Sequence, residues 1–254
     1  MTSGAFKYQG HELQLFALAI RWKNYVQANL APHVRGRVLE VGAGLGAVTR
    51  ALLHDGIEQW TCLEPDPQLA ARIVETLSDH PLRDRVDTIC GMTSDLDSKP
   101  RYDTILYIDV LEHIQDDSEE LRRSASMLRE GGAVIVLAPA HTWLFSPFDK
   151  AVGHFRRYDA TSVVAATPSN LELAKVFYLD SIGLLLSLAN RIFLRQSIPS
   201  RGQILFWDRI LIPLSRIMDK VIRFRAGRSI VAIWRKPRME NPANMSTAIG
   251  AEVK

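Results

Sequence analysis

The chain has 254 residues, room for one large domain with a proper core, and 47% of them are apolar against 23% charged, a globular composition. A net charge of +3 is too small to imply a nucleic-acid partner by itself. The two cysteines, Cys62 and Cys90, fit neither a metal spacing nor a disulfide framework; both fall inside predicted strands, so reduced core residues of a cytosolic protein are expected.

In chain order, His11–Leu30 has helical spacing, with Leu13, Phe16, Ala17, Ile20, Tyr25 and Ala28 available to one face, and Pro32 ends it. This helix is expected to lie across a sheet or over a ligand site. Its apolar start follows His11 and Glu12 rather than a basic segment, unlike a secretory signal, and no apolar run reaches the roughly 20 residues a bilayer span needs. Arg37–Val41 reads as the first strand, and Val48–Leu53 as the helix after a glycine turn. Gln59–Leu63 reads as the second strand, closed by Glu64-Pro65-Asp66-Pro67, with Gln68–Leu77 helical behind it. Val86–Cys90 and Tyr102–Ile108 are predicted as the third and fourth strands. Ser118–Leu128 is predicted as a helix capped by Ser118 and stopped by Gly131-Gly132, and Ala133–Ala138 as the fifth strand.

This alternation predicts an α/β fold with a doubly wound parallel sheet. Ligands of such sheets sit beyond the carboxyl ends of the strands, where Gly42–Gly46, Glu64, Met92–Asp95, Asp109–His113 and Ala140–Tyr158 should gather. Leu171–Leu179 and Ser229–Trp234 are predicted as two further strands, separated by a helical insert over 182–228, broken at Pro199 and Gly202. The insert carries nine basic residues (Arg191, Arg195, Arg201, Arg209, Arg216, Lys220, Arg223, Arg225, Arg228) against Asp208 and Asp219. The polar stretch 237–254 is expected to be a disordered tail, leaving 1–236 as a single domain.

The stretch Val38–Thr49 is the most informative. A short buried strand runs into Gly42-Ala43-Gly44-Leu45-Gly46 and then a helix start, so the backbone can approach a ligand without a Cβ in the way and offer N–H groups at a positive dipole end. Those glycines fit a dinucleotide site as well as other nucleotides. Glu64, at the end of the second strand, is placed to accept hydrogen bonds from ribose hydroxyls. Glu40, two residues before Gly42, and the polar cluster after the fourth strand suit an amino-acid moiety better than a nicotinamide.

Glu40-x-Gly42-x-Gly44-x-Gly46, Glu64-Pro65-Asp66, Tyr102-Asp103-Thr104-Ile105, Asp109-Val110-Leu111-Glu112-His113-Ile114 and Leu128-Arg129-Glu130-Gly131-Gly132 resemble, in order, the motifs of class I S-adenosylmethionine-dependent methyltransferases of the small-molecule type. The resemblance covers roughly residues 34–180. It implies a Rossmann-like seven-stranded sheet with an antiparallel last strand and S-adenosylmethionine as cofactor. It also implies Gly42, Gly44 and Gly46 against the cofactor's methionine part with Glu40 positioning it, Glu64 on the ribose, Met92 and Thr93 flanking the adenine, and Asp109 near the amino-acid end. The acid usual directly after the third strand is displaced here to Asp95.

For the acceptor, the loop after the fifth strand is dense in His, Arg and aromatic residues. His141 is the first candidate base and His154 the second, with Trp143, Arg156, Arg157 and Tyr158 as candidate substrate contacts, the arginines for an anionic group. The same residues could tie the loop to the sheet. Asp109, Glu112 and His113 could converge on a divalent cation, similar to the cluster of ubiquinone-pathway O-methyltransferases, but a structural role for Glu112 and His113 without metal is the preferred reading. The apolar, Arg-studded insert suits a lid or a membrane-surface contact. The expected activity is methyl transfer to a small, hydrophobic or lipid-linked metabolite, at oxygen, in the cytoplasm or at a membrane surface. The competing class is a peripheral membrane or complex-forming protein with a non-catalytic cofactor pocket. An NAD-dependent oxidoreductase is disfavoured, because no Tyr-Lys or His-Asp pair is placed for hydride transfer.

Overall fold

The computed structural model describes residues 16–189 and 200–238. Seven strands form one sheet: β1 (Gly36–Val41), β2 (Ile57–Glu64), β3 (Val86–Cys90), β4 (Tyr102–Ile108), β5 (Leu128–Pro139), β6 (Glu172–Leu179) and β7 (Ser229–Arg235). Their order is β3-β2-β1-β4-β5-β7-β6. β1 to β5 are parallel, whereas β7 runs antiparallel between β5 and β6, with Pro139 facing Ser229 and Leu179 facing the same residue from the other side. The doubly wound sheet with an antiparallel last strand is therefore as the sequence implied.

Successive side chains of a strand point to opposite faces, so β4 buries Leu106 on one side and Ile105 and Tyr107 on the other. One layer joins Val38, Trp60, Leu106 and Ile135 to helix α1 (Ile20–Leu30), α2 (Ala47–Leu52), α3 (Pro67–Leu77) and the insert. The other joins Leu39, Tyr107, Val136 and Trp234 to α4 (Asp117–Met127) and to α6 (Ala160–Ala165), which follows a short helix, α5 (Pro147–Ala151). Cys62 is buried in this core as expected, but Cys90 is exposed, because β3 is the outermost strand and most of its residues face solvent.

Several boundaries differ from expectation. The predicted His11–Leu30 helix is interrupted at Leu18–Ala19, and its residues 11–15 lie outside the described residues. Asp116, not Ser118, caps α4 by accepting from Glu119 N at 2.9 Å, since its carboxylate sits one turn ahead of that amide. Gly131-Gly132 do not stop that helix: α4 ends at Met127 and passes directly into β5, which contains both glycines. In the insert, α7 (Ser181–Ala189) is followed, beyond the undescribed 190–199, by α8 (Arg201–Phe206), one turn of π-helix (Trp207–Leu211) and α9 (Ile212–Val221). Gly202 is thus helical rather than a break, held by the Ser200–Gln203 capping box at the N-terminus of α8. Pro199 and the tail 239–254 lie outside the described residues.

The insert's only two acids tie it to the rest of the molecule. Helix α1 begins after Ala19, which offers no capping side chain; instead Asp208 accepts from Arg21 N at 3.2 Å and Trp22 N at 2.9 Å. Asp219 accepts from Tyr25 Oη at 2.7 Å and from the backbone N–H groups of Asp180 and Ser181. These bonds lock α1, β6 and the insert into one layer over the sheet edge.

Candidate functional site

The strand order reverses between β1 and β4, and the crevice beyond their carboxyl ends is where a doubly wound sheet binds ligands. A cavity of about 840 Å³ lies there, lined from β1 and its turn by Glu40, Gly42 and Gly44, from β4 onward by Asp109, Glu112 and His113, and roofed by α1 and Trp207.

The turn has the geometry glycine permits. Gly42, Gly44 and Gly46 have φ of +68°, +57° and +74°. A Cβ at Gly42 would strike Val110 at 2.7 Å, whereas one at Gly44 would meet nothing within 4 Å: Gly44 faces open space, a cradle that a side chain would fill. Glu64, almost fully buried, closes this turn by accepting from Gly44 N at 2.8 Å and from Asp66 N at 3.0 Å. Burial raises its pKa, against those backbone bonds. Glu40 is buried too and accepts from Thr49 Oγ1 at 2.5 Å and Trp60 Nε1 at 3.0 Å; burial lifts it to about 7, with Glu64 adding to the effect.

Across the cavity, Asp109 occupies a left-handed φ of +54° at the end of β4. Its surface opens on the cleft, yet the surrounding protein raises its carboxyl above the ordinary range. Glu112 is completely buried, and neither of its carboxylate oxygens has a hydrogen-bond partner among the described residues. Burial, then the nearby Asp109, pushes it well above the ordinary range. His154 Nε2 stands 3.9 Å from Glu112, and its Nδ1 meets Asp149 at 2.9 Å. Burial alone would raise Asp149, but hydrogen bonds from His154, Arg157 and Ser146 hold it far below the usual carboxylate range. An ionised carboxylate only accepts, so in the neutral ring Nδ1 carries the proton and Nε2 the lone pair. Donor atoms of Glu112, His113 and His154 lie within 4.8 Å of one another.

The structure thus brings Glu40, Gly42, Gly44, Asp109, His154 and Arg157 together on one cavity. Gly46 and Glu64 support the turn from behind. Met92, 48% exposed, and the buried Thr93, which donates to Glu120, sit farther along the same sheet edge. His141 does not reach the cavity: its Nε2 meets Gly227 O at 2.9 Å, its ring stacks on Tyr178, and Trp143 packs beside it with half its surface in solvent. Arg156 pairs with Asp117 and Gln115 O, Tyr158 donates to Asp117, and Arg157 donates to Asp149 and Ala140 O. These bonds build the loop, and of the three side chains Arg157 is the one that also lines the cavity.

Sequence reasoning missed Asp149, Trp22, Trp207 and Arg228. Asp149 had a readable signal, the Ser146-Pro147-Phe148-Asp149 capping box. Arg228 had none beyond standing just before the last strand.

Residues 39–134 match a family profile described as "Methyltransferase domain". A "Ubiquinone biosynthesis O-methyltransferase" of Bradyrhizobium diazoefficiens is 27% identical over 107 residues, 42% of this chain and 41% of that protein, so the match spans less than half of the curated relative. The structure of a "Geranyl diphosphate methyltransferase in complex with SAM" superposes with a TM-score of 0.62 at 11% identity, over 90% of this chain and 91% of that one. The "[4+2]-Cyclase SpnF" reaches 0.57 at 16%, over 84% and 81%, so likeness at this level speaks for the fold alone. The profile match runs from within β1, across the glycine turn, to within β5, and the sheet order with antiparallel β7 is the Rossmann-like fold shared with the solved geranyl diphosphate methyltransferase structure.

Proposed function

We propose that this protein transfers a methyl group from S-adenosylmethionine to an oxygen of a small, apolar or lipid-linked acceptor. The observation that carries the reading is the open left-handed turn at Gly44, closed on Glu64 beside the β1/β4 cavity. Gly42, Gly44 and Gly46 would let the backbone approach the methionine part, which Glu40 orients. Glu64 would take the ribose hydroxyls with the lone pairs its two backbone bonds leave, Met92 and Thr93 would flank the adenine, and Asp109 would stand at the amino-acid end.

When bound, the cofactor supplies a methyl group already activated on a sulfonium. The protein's part is to align the acceptor, exclude water and accept a proton. His154 is the base this geometry favours, because Asp149 fixes its Nδ1–H and leaves Nε2 free to take the hydroxyl proton. As the acceptor oxygen takes up the methyl group that the bound cofactor would supply, its hydroxyl proton would pass to His154 Nε2. His141, Trp143, Arg156 and Tyr158 shape the loop that presents His154. The similarity to a ubiquinone biosynthesis O-methyltransferase supports an oxygen acceptor.

Calorimetry with S-adenosylmethionine and S-adenosylhomocysteine tests the reading. Micromolar binding is expected, abolished by Gly44→Arg and weakened by Glu64→Ala. If neither compound binds the folded protein, the reading fails. Mass spectrometry of cell extract incubated with protein and methyl-labelled cofactor then identifies the acceptor.

Two finer readings each rest on an observation. As an alternative to His154 acting as base, since its Nε2 cannot both take a proton and ligate a metal, the unpartnered, buried Glu112 carboxylate beside His113 and His154 would hold a divalent cation, which would lower the pKa of a bound hydroxyl. A melting-temperature increase with Mn²⁺, Mg²⁺ or Zn²⁺, lost in Glu112→Gln, is expected; no increase with any of them removes this reading. Along α8 to α9, Phe206, Ile210, Leu214, Ile217 and Val221 form one stripe, each at least half exposed, with Arg209, Arg216 and Lys220 on the same helices. No helix among the described residues is long and apolar enough to cross a membrane, but this stripe suits contact with an anionic bilayer surface. Sedimentation with vesicles containing phosphatidylserine, and not with neutral vesicles, is expected; failure of both leaves the insert as a lid.

A further inference from the structure

Arg228 precedes β7 and lines the cavity with its guanidinium 5.1 Å from the Trp207 ring. Its backbone is bonded to Asp180 O and Ala140 N, but its guanidinium has no hydrogen-bond or ion-pair partner among the described residues, although it offers five N–H donors. Of the three carboxylates near it, Asp109 faces the same cleft without bonding the guanidinium, and the other two are occupied elsewhere. Asp180 accepts from Gly183 N, Trp207 Nε1 and Ser215 Oγ, and Asp149 accepts from His154, Arg157 and Ser146. An arginine that served only the fold would spend its donors on such groups, as Arg156 and Arg157 do. A guanidinium held in a cavity with its donors unused is a receptor for a planar or tetrahedral anion.

Its position separates it from the expected cofactor end. Ser229 pairs with Pro139 of β5, so Arg228 stands at the mouth of the third strand from β1, across β4 and β5. At about 4.8 Å per strand that is roughly 14 Å from the glycine turn. Asp109, at the end of β4, stands between the two along the sheet edge, and His154 lines the same cavity. Around Arg228 and under α1 the walls are apolar and aromatic: Phe16, Trp22, Phe148 and Trp207.

We propose that Arg228 binds an anionic group of the acceptor, a phosphate or carboxylate, while the acceptor's apolar portion lies among Phe16, Trp22, Phe148 and Trp207. This inference deepens the methyltransferase reading by naming the acceptor class, an amphipathic anion with an apolar tail. Arg228 thereby sets specificity and fixes which end of the acceptor faces His154.

Calorimetry on the full chain with octyl phosphate, octanoate, 1-octanol and inorganic phosphate, each with and without S-adenosylhomocysteine, is the test. Octyl phosphate or octanoate is expected to bind at least tenfold more tightly than 1-octanol and than inorganic phosphate. Arg228→Met should erase the preference over 1-octanol, and Arg228→Lys, which keeps the charge without the fork, should retain part of it; S-adenosylhomocysteine affinity should be unchanged in both. Equal binding of 1-octanol, or undiminished octyl phosphate binding by Arg228→Met, overturns the proposal. So does a tenfold loss of S-adenosylhomocysteine affinity in both variants, which assigns the guanidinium to the cofactor's own carboxylate. Inorganic phosphate binding as tightly as octyl phosphate overturns the apolar half. If S-adenosylhomocysteine fails to bind wild type, the methyltransferase reading falls, and the alkyl series without it still decides the role of Arg228.

Discussion

Glu40→Gln should make the protein more stable at neutral and alkaline pH while weakening the site. Glu40 is 2% exposed and its Oε2 accepts from Thr49 and Trp60, yet burial lifts its pKa from an ordinary 4.5 to about 7. The folded state therefore holds this proton more tightly than the unfolded chain does. Below pH 4.5 the group is protonated in both states and contributes no pH dependence. Between 4.5 and 7 stability falls as pH rises, and above 7 the whole cost is present. At 1.36 kcal/mol per pH unit the gap corresponds to about 3 kcal/mol. Glutamine keeps an oxygen for Thr49 and Trp60 and removes the titration. Urea unfolding of both proteins from pH 4.5 to 8 should show near-equal stability at the acid end and a variant advantage growing to as much as about 3 kcal/mol by pH 8. Taking the difference between the proteins cancels Asp109 and Glu112, raised acids that do not act on Glu40, whereas Glu64, which adds to the Glu40 shift, is relieved in the variant and enlarges the difference. A difference that stays flat across this range, or grows toward acid pH, refutes the argument. A carboxylate retained at such a cost is explained by ligand binding, so S-adenosylhomocysteine affinity should drop in the same variant.

Asp208→Ala removes two hydrogen bonds to the first turn of α1 and should cost about 2 kcal/mol, with faster proteolytic cleavage near residue 20 as the direct sign that α1 has come loose. Gly44→Ala meets no neighbour and should cost only about 1 kcal/mol for its positive φ, while lowering S-adenosylhomocysteine affinity at least tenfold. Gly42→Ala drives a methyl into Val110 and should destabilise more than Gly44→Ala, by about 2 to 4 kcal/mol; thermal melts that rank them the other way contradict the turn geometry. His154→Gln should leave cofactor binding intact and slow methyl transfer by about 10² to 10⁴, measured once an acceptor is in hand; unchanged turnover removes His154 as the base.

The sheet was legible because its signals are local. The apolar runs of β1 to β5, the glycine turn, and Pro67 behind the Asp66 cap each declare themselves within a few residues, and alternation of strand and helix then dictates parallel order. Boundaries failed where two local rules competed: Asp116 and Ser118 are both competent caps, and it is Asp116 whose side chain accepts from Glu119 N. At the site, the sequence brought the right loops to one edge without saying which side chains face inward. His141 and Tyr158 belong to the same segment as His154, but His141 turns to Gly227 and Tyr158 to Asp117.

What the sequence determined by itself is the strand–turn–helix frame and the place where a nucleotide would meet it, since backbone sterics and hydrophobic period act over neighbouring residues. What only the tertiary structure decided is the use made of charged side chains. Asp208 and Asp219 counted in sequence merely as two acids in a basic insert, yet each accepts hydrogen bonds from residues far away along the chain. Arg228 was one of nine basic residues, distinguished only by the neighbours it lacks. Buried charges draw their energies from whatever partner or emptiness the fold sets beside them, and that is a property of distance in space, which sequence separation does not encode.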